Sequence, residues 1–167
     1  MRGLLILLVI AFAALLFGCD REGKPIEHFG LDKLARGVST EAEVRIVMGQ
    51  PDSVREEPNG SRILEYPKSP FGHRTWMFDI GKDGKLVDYR QVLTEENFAR
   101  VQSGMSREEV RRLLGKPRSV VPFQLQNEEV WDWLYLRGST PRTFNVHFDI
   151  KSGKVRRTTA SDQHSLG

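Results

Sequence analysis

The feature that most constrains this chain is a stretch of sequence that occurs twice. "EVRIVMGQP" at 43–51 lies on "EVRRLLGKP" at 109–117, an offset of 66 (109 − 43). Thr40 to Glu43 and Ser106 to Glu109 both follow Ser/Thr-x-x-Glu, a capping box that satisfies the free amide donors at a helix start. Val44, Val47 and Met48, like Val110, Leu113 and Leu114, fall at i, i+3, i+4 and give each helix one apolar stripe. Gly49 and Gly115 then stand where a helix ends on a left-handed residue, with Pro51 and Pro117 blocking continuation. Each copy therefore predicts one short helix with both ends signed.

The similarity extends beyond the helix. Upstream, Gly37 matches Gly104, and the one extra residue falls in a loop, where insertions are tolerated. Before each glycine a second helical stretch is expected, over 31–36 and over 95–103, the latter capped by Thr94. Downstream the period changes to two. "RILEY" (62–66) matches "EVWDW" (129–133), while "TWMFDI" (75–80) and "TFNVHFDI" (143–150) each place alternate apolar residues on one face. "EPNGS", "GKDGKL" and "KSGKV" mark turns into further strands. The unit reads helix–helix–strand–strand–strand, and at about 65 residues it would be marginal alone. The expected fold class is α+β: two tandem ααβββ modules, at 29–93 and 94–158, that pack together or share an extended sheet. From about Thr158 the apolar pattern stops, so 159–167 reads as a frayed tail.

The N-terminus follows different rules. One positive charge, Arg2, precedes an unbroken apolar run from Leu4 to Phe17, then Gly18 and Cys19. As a helix that run rises about 21 Å, short of the roughly 30 Å hydrocarbon core. Residues 1–18 therefore read as a signal peptide, in preference to an uncleaved anchor helix. "LFGC" resembles the bacterial lipobox, which makes Cys19, the single cysteine of the chain, the lipidation site. A free thiol or an intermolecular disulfide is the competing account. Asp20, directly after it, resembles a sorting signal for inner-membrane retention, so both membranes stay open. Residues 19–28 contain Gly23 and Pro25 and form a polar, lipidated tether.

Composition excludes several function classes. The 167 residues are 28% charged with a formal charge of +3, too slight a basic excess to argue for nucleic acid. His28, His73, His147 and His164 are scattered with no ligand spacing, so no metal site is expected. Asp79 and Asp83 lack the carboxylate series of a calcium loop and belong to a hairpin turn. No nucleophile elbow, P-loop or dinucleotide fingerprint occurs, and the expectation is a non-enzyme without a cofactor beyond the lipid on Cys19.

The second copy, with "GMSREEVRRLLGKP", the aromatic strand "VWDWLY" and the hairpin "FNVHFDIKSGKV", resembles the BamE (SmpA/OmlA) lipoproteins. The first copy resembles them more loosely. The resemblance implies a periplasm-facing accessory of the outer-membrane β-barrel assembly machinery, with an association to anionic phospholipid. Tandem ααβββ modules also resemble the β-lactamase-inhibitor-protein fold, which implies an alternative role gripping an envelope enzyme. Fold likeness cannot choose between them.

Two groups of residues are candidates for a partner or lipid interface. Arg107, Arg111 and Arg112 flank the apolar stripe of the second helix, where they could meet anionic headgroups, each near-surface charge contributing about 1 kcal/mol. The competing reading is a solvated helix face mixed with Glu108 and Glu109. Trp131, Trp133 and Tyr135 alternate on one strand face and read as core, with Tyr135, aligned to Lys68, expected to be the most exposed of the three.

Overall fold

The computed structural model describes residues 30–68 and 72–162, which leaves Cys19, Asp20 and the whole leader and tether outside the described residues. Chain contacts group everything from Ala35 onward into one compact unit. Within it the backbone makes two four-stranded antiparallel sheets, not one extended sheet. The first follows helix α1 (Glu41–Met48) and runs β1 (Ser53–Glu56), β2 (Arg62–Pro67), β3 (Thr75–Ile80) and β4 (Leu86–Gln91). The second follows α2 (Glu95–Ala99) and α3 (Arg107–Leu114) and runs β5 (Ser119–Phe123), β6 (Glu128–Arg137), β7 (Thr140–Asp149) and β8 (Val155–Asp162). Each is a meander with strands in chain order.

The α+β class holds, but each sheet has four strands where period two gave three. The additional strand is β1 in one half and β5 in the other. Both are short edge strands whose alternate residues stay partly or largely exposed, so neither carries an apolar period. The helix expected over 31–36 is a single 3-10 turn, Leu31–Lys33. Its cap position is Gly30, which has no side chain to offer the free amides, whereas Thr94 accepts from the Asn97 amide and starts α2. The tail is also more ordered than its composition suggested. β8 continues to Asp162 because Thr159, Ala160, Ser161 and Asp162 pair with Asn145, Phe144, Thr143 and Arg142. Backbone pairing supplies there the order that apolar side chains do not.

The matching positions of the two copies do matching structural work. Thr40 and Ser106 each form the full capping box with Glu43 and Glu109. Gly37 N–H donates to Leu86 O and Gly104 N–H to Val155 O, tying each pre-helix loop to a fourth strand. Leu86 and Val155 return the bond to Ser39 O and Met105 O. One salt bridge recurs with its sign reversed: Glu41–Arg62 (2.6 Å) in the first half and Arg107–Glu129 (2.8 Å) in the second.

Alternation assigns the faces of the first sheet. Leu64 and Tyr66 share one face with Phe78, and the Tyr66 hydroxyl donates to Gly49 O at the end of α1. The opposite face carries Ile63, Glu65, Thr75 and Met77. Met77 belongs to the buried cluster of the second half, with Val110, Leu114, Trp133, Phe144, Val146 and Phe148, and Ile63 packs against it. The first sheet is therefore covered on both sides, by its own helix and by the helix of the other half.

Candidate functional site

The two halves meet at one buried carboxylate. Glu65 lies on β2 and is 3% exposed. Arg111 of α3 donates to both of its oxygens at 2.7 Å, the Lys116 backbone N–H donates to Oε1 at 2.5 Å, and Ser53 Oγ donates to Oε2 at 3.2 Å. A carboxylate taken out of water must be matched this fully, because an unpaired buried charge is costly. Around it, Lys116 Nζ reaches Asp52 at 2.7 Å and Arg112 reaches Glu57 at 3.0 Å, both across the same junction. Hydrogen bonds from Arg55 and Arg112 hold the Glu57 carboxyl below its ordinary range.

Gly115 makes this approach possible. It ends α3 at φ 76°, ψ −166°, and Gly49 ends α1 at φ 82°, ψ −161°. This is not the left-handed helical geometry expected from the sequence; it is the extended positive-φ region essentially reserved for glycine. The two sites differ in what surrounds them. A Cβ on Gly49 would meet nothing within 4 Å, whereas one on Gly115 would lie 2.8 Å from both Glu65 Oε1 and Thr75 Cγ2. The Gly115 carbonyl also accepts from Trp133 Nε1 at 3.3 Å.

The arginines singled out in the sequence all hold carboxylates of this same chain. Arg107 bonds Glu129 and lies 5.6 Å over the Phe148 ring; Arg111 holds Glu65; Arg112 bridges Glu57 and Glu108. Arg111 and Arg112 thus join the halves, and Arg112, exposed and paired with Glu108 one turn back, also belongs to the solvated mixed-charge helix face. Tyr135 is corrected outright: at 3% exposure it is a core residue, edge-on to Phe98 at 4.6 Å. The alignment with Lys68 misled because β6 is longer than β2, so Tyr135 is still inside the sheet where Lys68 has left it. Trp133 is buried as expected, and Trp131 packs against the cluster from its margin. His147 contacts Glu128, Thr159 and Arg157 on the face of the second sheet away from the core. Among the described residues no group of His, Cys, Asp or Glu could hold a metal ion. No described helix is long and apolar enough to cross a membrane.

The exposed surface holds one feature that sequence reasoning missed. "VVPFQL" covers β5 and the 3-10 turn after it, and Val120, Val121, Phe123 and Leu125 are all exposed, Leu125 at 98%. Four large apolar side chains are thus exposed within six residues, three on an edge strand and one on the turn that follows it, and an unpaired, apolar strand edge is open to pairing with another chain.

Residues 91–159 match the outer membrane protein assembly factor BamE domain. That likeness lies within the second half of the chain. The match covers both helices of that half, β5, β6 and β7, and β8 as far as Thr159. No curated protein matches the chain. Among solved structures, a protein assigned as the osmotically inducible lipoprotein OsmE is 25% identical, over 42% of this chain and 75% of its own, with a TM-score of 0.37. The YjgB protein of Bacillus subtilis is 17% identical over 78% of this chain and 82% of its own, with a TM-score of 0.30. A protein assigned as a β-lactamase inhibitor from Streptococcus mutans is 14% identical over 75% and 84%, with a TM-score of 0.32. At TM-scores this low, none of the three bears on function.

Proposed function

We propose that this chain is a non-catalytic, lipid-anchored scaffold that faces the periplasm and assists the assembly of outer-membrane β-barrel proteins. The observation that carries the reading is the BamE match over 91–159, the half that also presents the exposed run Val120–Leu125. Acylation at Cys19 would tether the chain, and the short polar segment 20–28 would keep the folded body within about 30 Å of the membrane. The docked halves give a rigid platform, and the apolar edge of the second sheet contacts the protein partner. Burial of such side chains contributes about 25 cal/mol per Å² of apolar surface removed from water.

The test is affinity purification of the tagged, lipidated chain from detergent-solubilised envelopes. The reading expects β-barrel assembly proteins to co-purify, and the yield to fall when Phe123 and Leu125 are both replaced by serine. Recovery of an unrelated envelope enzyme instead would favour the inhibitor-type alternative and overturn this reading.

A further inference from the structure

A second surface lies at the junction of the halves. A cleft of about 460 Å³ is lined by Arg90 of β4, Asn97 of α2, Arg100 just after it, and Met105, Glu109, Arg112 and Leu113 leading into and along α3. Three guanidiniums converge on it from three elements, over a floor that includes Met105 and Leu113. Glu109 is the one acid in the lining, and its carboxylate is committed to the Ser106 N–H and hydroxyl of the capping box, each at 2.7 Å. Arg90 is held by Asp79, and Arg112 by Glu57 and Glu108.

Arg100 breaks the pattern of the molecule. The other described arginines, Arg74 aside, each hold a carboxylate in a salt bridge, as Arg36, Arg118 and Arg137 do far from this cleft. Among the described residues Arg100 meets only the Asn97 side-chain oxygen, at 3.0 Å. An exposed guanidinium with four N–H donors left for water costs the fold nothing, but it is placed beside two more arginines and an apolar floor. Guanidiniums bind carboxylates in bidentate fashion and adaptable methionines suit recognition surfaces.

We infer that this cleft binds an acidic linear segment of a protein partner, with a carboxylate on Arg100 and an adjacent apolar side chain over Met105 and Leu113. The inference rests on the scaffold reading only in taking the partner to be a protein. The free guanidinium of Arg100 and the apolar floor choose the ligand: a purely anionic ligand would leave Met105 and Leu113 unused, and a purely apolar one would leave Arg100 without a carboxylate.

The test uses the full chain in detergent micelles with 13C-methyl-labelled methionine, where the Met105 signal, assigned with Met105→Leu, reports on the cleft. The probe is a six-residue peptide alternating glutamate and leucine, compared with one in which glutamine replaces glutamate. The expected result is a saturable shift of the Met105 methyl by the acidic peptide alone, with Met77 unmoved. Arg100→Ala or Arg100→Gln should weaken binding by roughly tenfold, the scale of one lost charged hydrogen bond, while tryptophan fluorescence and circular dichroism show the fold unchanged. A Met105 signal that ignores the acidic peptide, follows both peptides equally, or responds as well in the Arg100 variants overturns the inference. So does a response to micelles doped with phosphatidylglycerol that the acidic peptide does not compete away, which would make the cleft a lipid site. This titration and the envelope purification can fail independently, because the apolar edge at 120–125 and this cleft are built from different residues.

Discussion

Alanine at Gly49 and alanine at Gly115 separate backbone strain from interface packing. Both glycines lie in the same positive-φ, extended region, so a Cβ at either costs about 1–3 kcal/mol in strain. At Gly49 that is the whole cost, since the added carbon meets nothing within 4 Å. At Gly115 the carbon would lie 2.8 Å from Glu65 Oε1 and from Thr75 Cγ2. Glu65 cannot swing aside without releasing Arg111 and the Lys116 N–H. Overpacking of that kind adds about 1–3 kcal/mol, so Gly115→Ala should lose roughly 2–6 kcal/mol in all. Urea unfolding followed by circular dichroism and tryptophan fluorescence measures both, and Trp133, one of three tryptophans, donates to Gly115 O. Equal losses at the two sites would refute the close approach of the halves at Gly115. No loss at Gly49 would refute the strained backbone itself.

Four further outcomes are expected. Glu65→Ala leaves the partly exposed Arg111 without its carboxylate and the Lys116 N–H without its acceptor, and should cost about 1–3 kcal/mol in urea unfolding, while adding Arg111→Ala should cost less than the sum of the two single losses. Glu41→Arg should lower stability by about 1 kcal/mol through repulsion with Arg62 and with Arg45, which Glu41 also holds, and adding Arg62→Glu should restore the Arg62 share alone, since Arg107–Glu129 already shows the reversed pair in the other half. Glu43 and Glu109 are both held below their ordinary value of 4.5, first by the backbone and then by the side-chain hydrogen bond to the cap residue. Their contribution is therefore complete above that pH and lost as pH falls through the folded values, so Glu43→Gln with Glu109→Gln should flatten the acid limb of a melting-temperature profile; an unchanged limb would sink the capping argument. Cys19→Ser should release the chain from sedimented membranes, and continued sedimentation would remove the anchor.

Local signals were legible in the sequence and long-range ones were not. Both capping boxes, both terminal glycines, the hairpin turns and the core positions of Trp133, Phe78 and Phe148 follow from spacing alone, because each depends on neighbours within a few residues. β1 and β5 escaped because an edge strand of four or five residues needs no apolar period. Glu65 escaped for a different reason: its partners Arg111 and Lys116 are about 50 residues away and no local rule links them. One hint was present, since the aligned position in the other copy, Asp132, is also acidic and also bonded by the matching serine, Ser119. Arg107, Arg111 and Arg112 looked like a free basic face because their carboxylates come from β6, β2 and the β1–β2 connection as well as from α3 itself. Tyr135 was placed outside by an alignment that a longer strand defeats.

The proposed role requires the β5 edge and the turn after it to hold a component of the β-barrel assembly machinery. It is tested most directly by a photo-crosslinking residue placed at Leu125 in the lipidated chain in living cells, with the same residue at Lys151 in the β7–β8 turn as control. The account predicts a discrete adduct from 125 that contains a β-barrel assembly protein, and none from 151. Equal adducts from both positions, or an adduct from 125 that contains only unrelated proteins, would contradict it.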